Sequence, residues 1–378
     1  MRFKEVYQGW ESGRLSQEEA AEILGVCSRT FRRKLVRYED LGMDGLLDKR
    51  LGQRGFHKTS VDEVEKVMRL YREDYSEFSL RHFYDHAKEK HQLKRSYNWV
   101  RLTLQAKGVV KPVPGRGKHR RKRDRKPMIG MMIHQDGSRH PWIEGRYDDL
   151  IVTMDDATSE IYSMFLTLEE GTMSSMQGIK ETLEKMGVFS SFYCDRGSHY
   201  FLTPEAGGKV DKSRPTEVGR ALKQLGIEHI AAYSPQARGR SERMFGTLQG
   251  RLPQELKLEG LATLEEANRY IQNTFLPAFN KTFMVKPREK ESAFVPYVGR
   301  PLDDILCTHD ERVVKNDNTV SYKGRTFQIP ADGQRYHYVK CKVTVAEHLD
   351  GRISIFHGPR KLATFNPKQE DSAMKLAA

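Results

Sequence analysis

MIGMMIHQDGSRHPWIEGRYDDLIVTMDDATSEIYSMFLTL, residues 128–168, is where the chain changes from helical to extended texture. Apolar and β-branched runs at 128–136, 150–156 and 161–168, separated by turn residues, predict three strands. A helical pattern from about Thr172 to Met186 and a short strand from Phe189 to Cys194 follow, so the region reads as an α/β domain. On this reading Asp136 closes the first strand and Asp195 follows the fourth. Side chains at strand ends project past the sheet, where two carboxylates from neighbouring strands can hold one divalent cation.

A third acid lies downstream in YSPQARGRSERMFGTLQGRL (233–252). Ser241 reads as the cap of a helix whose inward face is Met244, Phe245, Leu248 and Leu252. That places Glu242 in the first turn, where the helix dipole favours the ionised carboxylate that a metal ligand must supply. Arg238, Arg240, Arg243 and Arg251 flank it, a setting that suits a phosphodiester backbone passing over the acid. Taken singly, each acid has a plainer reading: a turn residue closing a strand, or an acid at an ordinary helix start. Their order, each on the element expected of it, favours one common site.

Upstream the chain is helical. Phe3, Val6, Tyr7 and Trp10 form one buried stripe; Ser16 with Glu19 predicts a capping box; Gly25 ends that helix. Ser28 is then the expected cap of a third helix, with Phe31, Leu35 and Tyr38 inward and Arg29, Arg32, Arg33 and Arg37 on the other face. Helix, glycine turn and basic helix together resemble a helix-turn-helix DNA reader, although a plain three-helix bundle shares the periodicity. A second helical module is expected over 58–110. Residues 111–126, KPVPGRGKHRRKRDRK, hold nine Lys or Arg against one Asp, cannot build a core, and suit a DNA backbone or a solvated linker.

With 378 residues the chain is long enough for several domains, and 64 Lys+Arg against 51 Asp+Glu give a net charge of +13 that favours a polyanionic partner. Four cysteines lie far apart without metal-ligand spacing, so neither a zinc module nor a disulfide framework is indicated. No apolar run approaches the roughly 20 residues that span a bilayer, and a soluble intracellular protein without a membrane partner is expected. Beyond residue 305, short β-branched or aromatic runs broken by Asp-Asn, Lys-Gly, Asp-Gly and His-Gly turns suggest a small SH3-like β-barrel.

HQDGS (134–138), YCDRGSHY (193–200) and YSPQARGRSER (233–243) closely resemble the Asp-Asp-Glu transposases and retroviral-type integrases, and among these the bacterial insertion-sequence transposases of the ISNCY group. The resemblance extends over nearly the whole chain. It implies helix-turn-helix modules, a central α/β RNase H-like core and the C-terminal barrel, divided as 1–50, 58–110, a basic linker 111–127, 128–298 and 305–365. It also implies Asp136, Asp195 and Glu242 as the catalytic, metal-holding acids, with two magnesium (or manganese) ions about 3.5–4 Å apart. Double-stranded DNA is the implied partner, both the inverted-repeat ends of an element and a target. The chain would work as a homodimer or higher oligomer in the cytoplasm, at the nucleoid.

DNA contacts are expected from Arg29, Arg32, Arg33, Arg37, Arg120, Arg121, Lys122, Arg123, Arg196, Arg238, Arg240 and Arg243. The 46 residues between Asp195 and Glu242 exceed the spacing of many relatives, an excess that TPEAGGKVDKSRP (203–215) can absorb as loop. Two rival functions share this reading of the sequence: a DNA-binding regulator that performs no chemistry, and an RNase H-like nuclease that cuts without joining.

Overall fold

Ser16 and Glu19 form the expected capping box: Glu19 N donates to Ser16 Oγ at 3.2 Å and Ser16 N to Glu19 Oε2 at 2.8 Å. This opens the second helix of a computed structural model that describes residues 2–48, 59–112, 123–205, 208–211, 213–233, 235–331 and 333–366, with the backbone alone at 235–238. Two compact units result, Met1–Asp74 and Tyr75–Ala378.

In the first unit, α1 (Arg2–Glu11), α2 (Gln17–Ile23) and α3 (Ser28–Leu41) enclose Val6, Ala20, Ala21, Phe31 and Leu35, with Phe3, Tyr7 and Trp10 packed around them. Gly25, at φ +66°, makes the turn between α2 and α3 that an L side chain rarely adopts. Cys27 rather than Ser28 holds the cap position of α3, without a side-chain cap bond. Arg29, Arg32, Arg33 and Arg37 are all exposed. Helix α4 (Val61–Glu73) is capped by Ser60 and buries Val67 and Tyr71.

The second unit begins with α5 (Leu80–Glu89) and α6 (Tyr97–Ala106), each capped by a serine, Ser79 and Ser96. Five strands follow: β1 (Ile133–Ile143), β2 (Arg146–Asp155), β3 (Ile161–Thr167), β4 (Ser191–Cys194) and β5 (Glu228–Ala231), in the order β3-β2-β1-β4-β5. The first three pair antiparallel, while β4 and β5 run parallel to β1. Helices α7 (Thr172–Met186) and α8 (Glu217–Gln224) share one core with the sheet, containing Ile133, Ile179, Leu183, Phe192, Val218 and Leu222. A second core joins Leu150, Val152 and Met164 to α9 (Pro235–Gln249), α10 (Leu252–Leu258), α11 (Leu264–Tyr270) and α12 (Leu276–Phe283) through Phe245, Leu248, Leu256, Ile271 and Phe279. Each such buried side chain contributes about 1.5–3 kcal/mol, which makes the layering robust.

Two expectations are corrected here. Ile143 pairs with Arg146, so the β1–β2 turn is Glu144-Gly145, where Gly145 takes φ +81°. Gly137 keeps ordinary strand backbone, and Asp136 therefore lies inside an eleven-residue strand instead of closing a short one. Likewise α9 starts at Pro235, so Ser241 is not its cap and Glu242 falls in mid-helix, beyond the reach of the dipole argument. Proline suits a first helical position because its missing N–H has no partner to lose there. Gly239 costs only about 1 kcal/mol in the helix and does not end it.

The free edge of β3 is covered by amide side chains. Asn268 bonds both backbone groups of Leu166 (2.6 and 2.9 Å), Asn280 both of Ile161 (2.9 and 2.8 Å), and Gln272 donates to Met164 O at 2.8 Å. The π-helical turn Ile271–Phe275 between α11 and α12 sets this spacing.

The C-terminal strands are β6 (Cys307–Val313), β7 (Thr319–Tyr322), β8 (Arg325–Gln328), β9 (Lys342–His348), β10 (Ile353–His357) and β11 (Arg360–Phe365). They form a sheet β11-β10-β9-β6 and a separate β7-β8 hairpin around one core of Val320, Phe327, Val343, Val345 and Ile355. Among the described residues this is not the closed barrel expected. Pro330, two residues past the end of β8, cannot donate to a continuing ladder. No helix among the described residues is long and apolar enough to cross a membrane.

Candidate active site

Ile133 pairs with Phe192 and His134 with Tyr193; Asp136 on β1 and Asp195, the residue after β4, each follow two residues later. The rings of His134 and Tyr193 stand 4.9 Å apart. Helix α9 lies along β1: Gln249 Nε2 donates to Ser138 Oγ at 3.0 Å, and Asp136, His134, Ser241, Met244 and Phe245 line one small space. Glu242, the neighbour of Ser241, is exposed. The three carboxylates are not drawn into one cluster; among the described residues the trio of ligand atoms within 4.8 Å of one another is His82, His86 and Glu255.

Beside Asp136 lies a buried network that the sequence did not reveal. Gln135 Nε2 donates to Thr153 Oγ1 (2.8 Å) and Ser175 O (3.1 Å), while its Oε1 accepts from Tyr200 Oη at 2.9 Å. Burial pushes the Tyr200 phenol well above its usual range, so it stays a donor. This links β1 to the segment that follows Asp195. Gly178 on α7 makes room for it, since a Cβ there would stand 2.4 Å from Gln135 Nε2. Asp195 Oδ1 accepts from Gly197 N at 2.8 Å. A fourth acid, Glu170, lies against Gly137 and stands 3.5 Å from His199 Nε2. Only its proximity in space marks it, because no motif in the sequence includes it.

Asp155 and Asp156 serve the scaffold. Asp155 accepts backbone N–H groups of Gly130 (2.8 Å), Ala157 (2.7 Å) and Thr158 (3.0 Å), and burial raises its pKa. Asp156 is fully buried and takes His134 Nε2 at 2.7 Å, Lys126 N at 2.8 Å, and the guanidinium groups of Arg123 and Arg240. Burial alone would raise its pKa; those donors and charges hold it well below the usual carboxylate range. Arg125 Nη1 adds bonds to Asp156 O, Ala157 O and Ser159 Oγ. Arg123 and Arg240, expected over DNA, are therefore engaged with Asp156. Arg196 donates to Gly208 O at 2.7 Å and lies over the Tyr233 ring, while Arg243 is exposed and donates to Gly239 O at 2.8 Å. Arg120, Arg121 and Lys122 lie outside the described residues, as does the side chain of Arg238.

No family model matches the chain. It is 28% identical over 347 residues to "Putative transposase y4bF" of Sinorhizobium fredii, covering 91% of this chain and 75% of that protein. It is 24% identical over 377 residues to the transposase for insertion sequence IS1202 of Streptococcus pneumoniae, covering 90% and 80%. The chain is thus similar to transposases over most of its length. Among solved structures it also matches the HTLV-2 integrase catalytic core domain in complex with magnesium, at 15% identity and a TM-score of 0.30, over 39% of this chain and 88% of that one.

Proposed function

We propose that the chain is a DNA transposase that cuts phosphodiesters at the ends of its element and joins the freed 3′-hydroxyls to target DNA, with Asp136, Asp195 and Glu242 as the catalytic acids. The observation that supports this reading is the parallel pairing of β1 with β4, which stops just short of Asp136 and Asp195, with α9 laid along β1. The sheet order β3-β2-β1-β4-β5 supports an RNase H-like core, and two transposase relatives support DNA as the substrate.

Three carboxylates are an all-oxygen donor set, which suits magnesium or manganese. Bound there, two such ions would neutralise charge at the attacking and leaving oxygens of an in-line displacement. The remaining work belongs to the chain. The Gln135–Tyr200 bond ties the strand of Asp136 to the segment after Asp195, and Glu242 would approach from α9. Arg243, one residue on, offers a guanidinium to a phosphate, and Arg196 and Arg238 flank the same region. Water attacks at the element end and the released 3′-hydroxyl attacks the target, so no covalent protein intermediate is needed.

Helices α2 and α3 support a helix-turn-helix reading, in which α3 enters the major groove with Arg29, Arg32, Arg33 and Arg37. Residues 58–110 would form a second DNA-binding module and the 111–127 stretch would follow phosphates, leaving 128–298 as catalytic core and 305–365 as an SH3-like module. A dimer or higher assembly on DNA brings two ends together in the bacterial cytoplasm. Glu242→Gln is expected to lose cutting and joining on DNA that carries the element's ends while binding persists. Unchanged activity in that variant refutes the assignment; a wild type that binds without product favours a regulator, and one that cuts without joining favours a nuclease.

A further inference from the structure

His82 and His86 sit one turn apart on α5, so both imidazoles leave the same helix face. Their Nε2 atoms converge on a single oxygen, Glu255 Oε1 of α10, at 2.7 and 2.6 Å. All three residues are buried, at 1, 9 and 8% exposure. The surroundings are aromatic: Phe78 stacks on His82 with ring centroids 4.3 Å apart, and Tyr75 packs on His86 at 5.5 Å. Tyr270 donates its hydroxyl to the other carboxylate oxygen at 3.2 Å. His82 Nδ1, His86 Nδ1 and Gln254 Oε1 are buried and make no hydrogen bond.

Two imidazole lone pairs and a carboxylate oxygen cannot face one another at such distances without positive charge between them. A proton on each Nε2 supplies it but leaves both Nδ1 atoms as buried acceptors without donors. A cation supplies it as well, with each imidazole proton then on Nδ1. Gln254, next to Glu255, contributes a buried acceptor that lacks a donor.

We propose that His82, His86 and Glu255 form a metal site, best matched to zinc, that clamps α5 onto α10. Two neutral nitrogens with one carboxylate oxygen are a zinc donor set, unlike the all-oxygen set of Asp136, Asp195 and Glu242. Tetrahedral zinc with bonds of about 2.0–2.2 Å sets its ligand atoms about 3.3 Å apart, so the Nε2–Oε1 separations open by about 0.6 Å through the Glu255 torsions. Tyr270 then orients the carboxylate from behind. The site is independent of the chemistry proposed above.

The test uses the full-length chain, stripped with a chelator and titrated with cobalt(II). The expected result is the visible absorption of a tetrahedral cobalt site, displaced by about one equivalent of zinc. Glu255→Gln is expected to lose that band and Asp195→Asn to keep it, with circular dichroism reporting that each is folded. No cobalt or zinc uptake at micromolar concentration, or a band that survives Glu255→Gln, overturns the proposal. Should Glu255→Gln fail to fold, His82→Cys replaces it: a thiolate-to-cobalt charge-transfer band is expected in the near ultraviolet, and its absence in folded protein also overturns the proposal.

Discussion

The guanidinium of Arg240, on α9, is bound to the fully buried carboxylate of Asp156 at the end of β2. An arginine that the sequence offers to DNA thus fastens the helix carrying Glu242 to the sheet carrying Asp136. Removing one partner of a buried pair strands the other. Asp156→Ala is therefore expected to lower stability by about 3 kcal/mol in urea unfolding. Wild-type stability in that variant would show that the pair does not hold α9 in place.

The same carboxylate sets an acid limit. Its folded pKa lies below its unfolded value, so its contribution is full above about pH 4 and is lost as pH falls through the folded pKa. Wild type is expected to lose stability more steeply than Asp156→Asn as pH falls from about 4 to about 2. Equal slopes in denaturant midpoints across that window would remove Asp156 from the account.

Gly178→Ala should act against the usual rule for helices, where alanine gains about 1 kcal/mol over glycine. The added Cβ would stand 2.4 Å from Gln135 Nε2 and 2.7 Å from Thr153 Oγ1. A loss of about 1–3 kcal/mol is expected, together with reduced strand transfer, since the Gln135–Tyr200 bond is disturbed. A stabilised variant with normal activity contradicts the role given to that network.

Asp136 and Asp155 are both acids of the central sheet, yet they should fail differently. Asp136→Asn is expected to fold normally and abolish strand transfer, whereas Asp155→Ala strands the N–H groups of Gly130, Ala157 and Thr158 and is expected to unfold at lower temperature. Thermal unfolding beside an activity assay separates the two; an active Asp136→Asn moves the first acid elsewhere.

Arg32 and Arg33 are exposed on α3. Replacing both by alanine should leave stability within about 0.5 kcal/mol. It should also reduce the logarithmic salt slope of DNA binding by about 2, as two phosphate contacts are lost. Binding isotherms over a range of salt concentrations decide this, and an unchanged slope excludes α3 from the DNA surface.

Cys27 is exposed, and its hydrogen bond with Thr30 at 3.2 Å lowers its pKa, while burial pushes the Cys307 thiol up to about 12. Brief iodoacetamide treatment of native protein near pH 8 should alkylate Cys27 and spare Cys307, as read by peptide mass. Early labelling of Cys307 would mean that its surroundings open readily.

The first four strands of the sheet, helix α7 and the Ser16 box were legible in the residues themselves, because period, turn glycines and caps act over a few neighbours, whereas α8 and β5 were not. So were the basic face of α3 and the position of Asp195 just past β4. Only tertiary structure decided the rest. The β1 turn went to Gly145 and not Gly137 because pairing with β2 required it, and α9 ran from Pro235 through Ser241 because its apolar face had a sheet to cover. The pairing of Arg240 with Asp156, the Gln135–Tyr200 bond and the meeting of His82, His86 and Glu255 join residues far apart along the chain. No local pattern encodes such contacts, since they exist only after the cores have closed and buried polar groups must find partners where the fold leaves them.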